Sequence, residues 1–199
     1  MDQFYVTVSR QFGSQGRDIA MKLANRLHVA FYDREIVEEA ARQLNLSLFE
    51  ASDEEEQDRE AFFHMRYPLG QNTLELRERL YEVESQIVKN LAKKGSCVIV
   101  GRCSDYILRN EKNRINFFLY APYEARLNNC IEELNMKRAD AVRMIRAVDR
   151  ARNTYHKRHT RFELHDMACN HVMIDSSLLG VDDTADIMAE IAKKRFGLV

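Results

Sequence analysis

Short, unbroken apolar runs alternate along the chain with longer stretches in which apolar positions return every three or four residues. The runs Phe4 to Val8, Ser96 to Val100 and Ile115 to Tyr120 are β-branched or aromatic, and His171 to Ile174 is a shorter one. Continuity rather than alternation predicts strands buried on both faces, as in a parallel sheet. Helices are predicted at Arg17 to Leu27, where Ile19, Leu23 and Leu27 share a face. The same period predicts helices at Arg34 to Leu44, Thr73 to Lys93, Tyr123 to Leu134, Ala139 to Lys157 and Asp183 to Arg195. Strands alternating with helices predict an α/β domain with a mostly parallel sheet.

With 199 residues and 45% hydrophobic composition, the chain can bury one sizeable core, and one domain is expected. A formal charge of -1 gives no global affinity for nucleic acid, so anion binding must arise from local clusters of Lys and Arg. The cysteines Cys97, Cys103, Cys130 and Cys169 form no C-x-x-C pair and fit a reducing cytosol. Met1-Asp2-Gln3 leads straight into a strand without a signal-type segment, and no apolar run approaches bilayer length. The expectation is a cytoplasmic protein with neither nucleic acid nor membrane as partner; oligomeric state is not encoded legibly.

Charge is unevenly spread. From Glu50 to Glu60 the acids Glu50, Asp53, Glu54, Glu55, Glu56, Asp58 and Glu60 face only Arg59, which reads as a solvated insertion or mobile helix. From Lys137 to Arg161 the bias reverses: Lys137, Arg138, Arg143, Arg146, Arg150, Arg152, Lys157, Arg158 and Arg161 face Asp140 and Asp149.

Three segments carry candidate chemistry. Val6 to Ala20 is a strand, a small-residue turn and a helix start in succession, an arrangement that points backbone N–H groups and the positive end of a helix dipole at an anion. Gly13 and Gly16 are expected to remove Cβ atoms that would hold a phosphate away. Against the spacing G-x-x-x-x-G-K-[ST], only Gly16 fits; Gln11 stands at the first glycine, Arg17 at the lysine and Asp18 at the hydroxyl residue. Val98-Ile99-Val100-Gly101-Arg102 is a strand that ends in glycine and arginine. Arg102 either emerges at the sheet's carboxyl rim, where ligands of open α/β sheets sit, or caps a helix or pairs with a carboxylate. In the third segment Arg143, Arg146 and Arg150 recur on one helix face. That face is either simply solvated or part of a mobile helix closing over a polyphosphate, where guanidinium forks offset phosphate charge.

Asp33 follows Val29-Ala30-Phe31-Tyr32; it either faces the same cleft, N-caps the helix from Arg34, or does both. His156, His159, His165 and Cys169 suggest zinc, but the surroundings are cationic and tight cysteine pairs are missing. No G-x-S-x-G elbow and no G-x-G-x-x-G follow the first strand, against a hydrolase and a dinucleotide oxidoreductase.

Taken together, Val8-Ser9-Arg10-Gln11-Phe12-Gly13-Ser14-Gln15-Gly16-Arg17, Phe31-Tyr32-Asp33, Val98 to Arg102, Asp149-Arg150-Ala151-Arg152-Asn153-Thr154-Tyr155 and Asp175 to Gly180 resemble the cytidylate kinase-like family, relatives of the P-loop nucleoside monophosphate kinases. The resemblance lies at both ends of the chain and is slight between about residues 36 and 94. It implies a three-layer P-loop kinase fold with a mostly parallel sheet, a helical acceptor-binding insertion and an arginine-rich lid. The implied core spans about 1–35, 95–135 and 165–199, the insertion about 36–94 and the lid about 137–162.

The implied activity is transfer of the γ-phosphoryl group of ATP, with Mg²⁺, to a nucleoside monophosphate, CMP or dCMP. Alternatives on the same fold are a non-catalytic nucleotide-binding protein and a kinase of another small acceptor. The resemblance assigns Gly13, Ser14, Gln15, Gly16, Arg17 and Asp18 to the ATP phosphates, and Asp33, Arg102 and Asp105 to the acceptor. Arg146, Arg150, Arg152 and Arg158 fall in the lid; Arg17, Arg150 and Arg152 are the implied catalytic residues, and Asp18 is the implied Mg²⁺ carboxylate, acting through water. Arg17 and Asp18 depart from the usual lysine and hydroxyl, and the two cations differ in geometry.

Overall fold

The computed structural model describes residues 2–45 and 74–198, so the acidic stretch from Glu50 to Glu60 lies outside the described residues. Strand β1 (Tyr5–Arg10) occupies the middle of a five-stranded sheet, flanked by β3 (Cys97–Val100) and β4 (Arg114–Tyr120). β2 (Ala30–Tyr32) and β5 (Val172–Asp175) take the edges, in the order β2-β3-β1-β4-β5. Every neighbouring pair is parallel; Val8 lies opposite Val100 on one side and Phe117 on the other. The unbroken apolar runs are the central strands, buried on both faces as their composition predicts. The brief Val29 to Tyr32 run is a strand of its own, β2.

Alternation of side chains across the strands divides the core. Val6, Val8, Val98, Val100, Phe117 and Leu119 share a core cluster with Ile19, Leu23 and Leu27 of α1 (Gly16–Leu27) and with Ala185, Met188 and Ala192 of α7 (Gly180–Phe196). Phe4 stacks on Phe196 with ring centroids 4.7 Å apart. Lys22 and Arg26 of α1 pair with Asp182 and Asp186 of α7 at the surface, contacts of small energetic weight beside the apolar burial. The other face carries Thr7, Ser9, Ile99, Asn116 and Phe118. Beyond it lie α4 (Ser104–Ile107), α5 (Tyr123–Glu132) and α6 (Arg138–Thr160), giving three layers.

That second face holds a short polar chain. Thr7 Oγ1 donates to Asn116 Oδ1 at 2.9 Å, Asn116 Nδ2 donates to the Cys169 carbonyl at 2.8 Å, and the Asn116 N–H donates to His171 Nδ1 at 2.9 Å. His171 therefore accepts through a bare nitrogen, and its pKa lies below the ordinary value, first through burial and then through Arg114 and Arg195. All four cysteines are free thiols.

The chain divides into two compact units, residues 1–32 with 94–199 and residues 33–93. The second contains α2 (Arg34–Leu44) packed on α3 (Leu74–Lys93). α2 buries Ile36, Val37, Ala40 and Ala41, and α3 buries Leu80, Ile87, Val88 and Ala92. Among the described residues no helix is long and apolar enough to cross a membrane.

Leu23 is fully buried between α1, the sheet and α7. Leu23→Ala is expected to lower the unfolding free energy by about 2–5 kcal/mol, read as a shift of the urea midpoint at unchanged slope.

Candidate active site

The loop after β1 is built by running out of ladder partners. The Gln11 N–H still bonds the Leu119 carbonyl at 2.9 Å, but the next amide, Phe12 N–H, donates to Asp149 Oδ1 on α6 at 2.8 Å. Asp149 Oδ2 accepts from Arg126 Nη1 at 2.5 Å, and the same nitrogen also donates to the Phe12 carbonyl at 3.2 Å. Asn129 Nδ2 donates to the Gly13 carbonyl at 2.9 Å, and Gln11 Oε1 accepts from the Ala121 N–H at 3.2 Å. Ser14 is wholly buried: its hydroxyl donates to the Gln11 carbonyl at 2.9 Å and its carbonyl accepts from Ser176 Oγ at 2.8 Å. Ser14 therefore offers an anion its backbone, not its hydroxyl. Gln15, left-handed at φ 56, delivers the chain into α1, whose N-terminus faces the loop. The result is a loop closed onto a helix N-terminus, an arrangement that can accept an anion.

Gly13 and Gly16 make room for protein atoms. A Cβ on Gly13 (φ +76) would lie 2.7 Å from the Arg126 carbonyl and 2.9 Å from Cys130 Sγ. A Cβ on Gly16 would meet the stem of Arg10, 2.7 Å from its Cβ and 3.0 Å from its Cγ. The Arg10 chain passes on to the end of β3, where a Cβ on Gly101 (φ +71) would stand 2.5 Å from Nη1. Arg10 thus runs from the loop after β1 to the Gly101 turn. Its side chain spans the two segments that the sequence offered as phosphate candidates, a link that sequence reasoning missed although Arg10 stands inside the motif.

The β3 turn is backbone-strained. Gly101, Arg102 and Cys103 are consecutive left-handed residues, with φ of 71, 54 and 53. For the two non-glycine positions this costs about 1–2 kcal/mol each. Arg102 is half-buried. Cys103 N-caps α4, and the turn is closed by the Gly101 N–H on the Val8 carbonyl and the Ser104 N–H on the Gly101 carbonyl, both 3.0 Å. Asp105 follows, 5% exposed, its Oδ2 accepting from His156 Nε2 at 2.9 Å.

α6 is amphipathic in an unusual sense. Ile145, Val148, Arg152, His156 and Thr160 form its buried stripe, while Arg146, Arg150 and Arg158 are exposed. Arg152 is 5% exposed, donates through Nη1 to the Arg10 carbonyl at 3.3 Å, and lies over the Phe12 ring with Cζ 5.9 Å from its centroid. The lid arginines therefore separate into one that holds the loop and three that face solvent. Arg17 and Asp18 are exposed in the first turn of α1, with Arg17 Cζ 6.0 Å from the Phe31 ring centroid. Asp33 belongs to the second unit; it precedes α2, makes no side-chain capping bond, and its N–H donates to Glu35 Oε2 at 3.0 Å.

The zinc reading does not fit. Both nitrogens of His156 are engaged, by Asp105 and by the Phe162 carbonyl. The His159 pKa is pushed down to about 4, first by burial and then by Arg158 and His156. No group of three or more ligating side chains occurs among the described residues. Asp149 and Ser176 lie inside segments that carry the family resemblance, but nothing in the sequence marked them, Arg126 or Asn129 as residues that hold the loop.

Alanine at the two turns should separate in cost. Gly13→Ala drives a Cβ into backbone and is expected to cost about 3 kcal/mol or more. Gly101→Ala meets the end of a flexible side chain, so its cost is expected to stay near the left-handed strain alone, about 1–2 kcal/mol. Chemical denaturation of both variants checks the order.

A sequence model described as the cytidylate kinase-like family matches residues 5–178. No curated protein matches the chain significantly. Among solved structures, an uncharacterized protein from Eubacterium ventriosum is similar at 21% identity, covering 96% of this chain and 99% of that one with a TM-score of 0.73. Shikimate kinase from Acinetobacter baumannii, in complex with shikimate, is 15% identical, covering 96% and 94% with a TM-score of 0.56. Shikimate kinase from Bacteroides thetaiotaomicron is 10% identical, covering 96% and 99% with a TM-score of 0.56. At such identities the likeness establishes the fold: three layers around a parallel sheet, the P-loop kinase architecture.

Proposed function

Because this chain belongs to the cytidylate kinase-like family, we propose that it is a kinase transferring the γ-phosphoryl group of ATP to a nucleoside monophosphate, CMP or dCMP. The observation that carries this reading is the Arg10 side chain spanning two anion-accepting turns, the loop before α1 and the Gly101-Arg102 turn, at adjacent strand ends. A donor held at one turn and an acceptor phosphate held at the other face each other across that guanidinium.

An oxygen of the acceptor phosphate attacks the γ-phosphorus; a new P–O bond forms as the bond to the β–γ bridging oxygen breaks, and ADP departs. The attacking oxygen is already ionised, so no general base is needed, and the work is alignment and charge neutralisation. Backbone N–H groups at the start of α1 hold the donor phosphates with Arg17, and Arg102 holds the acceptor phosphate. Arg152 and Arg150 offset charge on the transferring group. Asp33 keeps its assignment to the acceptor from the family resemblance alone. Mg²⁺ typically takes one or two carboxylates plus phosphate and water oxygens, and the exposed carboxylate of Asp18 suits that donor set. When bound, the ion would neutralise phosphate charge.

Incubation with ATP, Mg²⁺ and a panel of nucleoside monophosphates, with shikimate as a hydroxyl acceptor, tests the proposal through ADP release. CMP or dCMP should be the best acceptor. Turnover of shikimate alone would transfer the reading to another small acceptor, and thermal stabilisation by ATP without turnover would make it a binding protein. In the leading case Arg102→Ala should raise KM for CMP by about 10- to 100-fold, and Arg152→Ala should lower kcat by at least about tenfold. Unchanged kinetics in both would remove these roles.

A further inference from the structure

Nothing in the transfer chemistry uses His156, yet it is 1% exposed and both of its ring nitrogens have partners. Nε2 lies 2.9 Å from Asp105 Oδ2, and Nδ1 lies 3.0 Å from the Phe162 carbonyl and 3.1 Å from Thr160 Oγ1. The Thr160 hydroxyl donates to the His156 carbonyl at 2.8 Å, which leaves its oxygen as an acceptor toward Nδ1. A carboxylate and a carbonyl can only accept, so the partners at Nε2 and Nδ1 suit a ring that carries hydrogen on both nitrogens, the imidazolium.

The pair joins two segments that the reaction needs. Asp105 lies three residues beyond Arg102 on the helix that the strained turn starts, and His156 lies one helical turn beyond Arg152 on the same buried stripe. Asp149, Arg152 and His156 follow one another along this face over roughly 10 Å, touching the loop after β1, the end of β1 and α4 in order.

We propose that His156, as an imidazolium, is a positioning residue that fixes the Arg102 turn against the Arg152 face of α6, so that productive acceptor binding depends on its proton; this rests on the nucleotide-kinase reading above. The donor loop is held separately, by Asp149, Arg126 and Asn129. Losing the His156 link therefore acts on the acceptor and not on ATP.

The charged groups around the ring are Asp105 on α4, Glu163 beyond the end of α6, and His159 on α6 itself. Asp105 is faced in turn by Arg114 on β4 and by Cys169. Burial is the largest influence on His156 and lowers its pKa; the Asp105 hydrogen bond and charge, the Phe162 carbonyl and Glu163 together outweigh it, and the net shift is upward. The sign follows: a raised histidine pKa gives a link fully present below the ordinary value of about 6.5 and lost as pH rises through the shifted one. His159, pushed down to about 4, stays neutral over that range, and His171 is shifted downward as well.

The test combines imidazole ¹⁵N spectroscopy of the full chain with kinetics at varied CMP and ATP from about pH 6 to 9.5. In the wild type both His156 nitrogens should be protonated near pH 7, and the amide resonances of Arg102 and Cys103 should follow the same titration. Across it, kcat/KM for CMP should fall about tenfold while KM for ATP holds within about twofold. His156→Gln and Asp105→Asn should each raise KM for CMP about tenfold at pH 7, leave KM for ATP unchanged and flatten the alkaline limb. A neutral His156 tautomer at pH 6.5, Arg102 amides that ignore the titration, or variants with wild-type CMP kinetics would overturn the proposal. So would equal losses for CMP and ATP. If His156→Gln fails to fold, Asp105→Asn and the wild-type spectra decide. If no nucleoside monophosphate is phosphorylated, the kinase reading fails by itself, and the shared titration of His156 and the Arg102 amides still passes or fails the link.

Discussion

Everything in the site depends on how one backbone amide is satisfied. Phe12 is the first residue after β1 whose N–H finds no carbonyl in the sheet, and a buried orphan donor would cost about 1–3 kcal/mol. Asp149 supplies the acceptor from 137 residues away and is itself steadied by Arg126, which reaches round to the Phe12 carbonyl. The loop can turn away from the sheet at that point only because α6 lies beside it. With the loop's outer amides pinned, those at the start of α1 stay oriented toward the rim.

The same helix then explains why the arginine-rich segment is not a uniform cationic surface. Residues four apart share a face, so the spacing that aligns Ile145, Val148, Arg152, His156 and Thr160 inward sends Arg146, Arg150 and Arg158 outward. Buried polar groups on such a stripe need partners, and each has one: Arg152 on the Arg10 carbonyl, His156 on Asp105, Thr160 on the His156 carbonyl. A helix fastened at these points braces the rim, while Arg146, Arg150 and Arg158 lie on its exposed side.

The fold was largely legible because its signal is local. Unbroken apolar runs became the central strands, and α2 follows its predicted span. The phosphate loop and the Gly101-Arg102 turn stand where strand ends were expected. Hidden were the relations between distant residues. Gly13 and Gly16 gave the right turn for an incomplete reason, since the missing Cβ atoms make way for the Arg126 carbonyl and for Arg10. The pairing of Asp105, assigned to the acceptor by resemblance, with His156, weighed only for zinc, was invisible, because no periodicity connects residues 51 positions apart. Ser14, read as a phosphate contact, points its hydroxyl inward for a reason visible only once Gln11 and Ser176 are in place.

The central position of β1 also bears on biosynthesis. β1 is made before its neighbours β3 and β4, and its loop is fastened by α5 and α6, so during synthesis that loop stays unfastened until Asp149 has emerged. A ligand held at that loop could not assist the folding of the segments made earlier. Any chaperoning effect of such a ligand would come only once the chain has been made as far as α6.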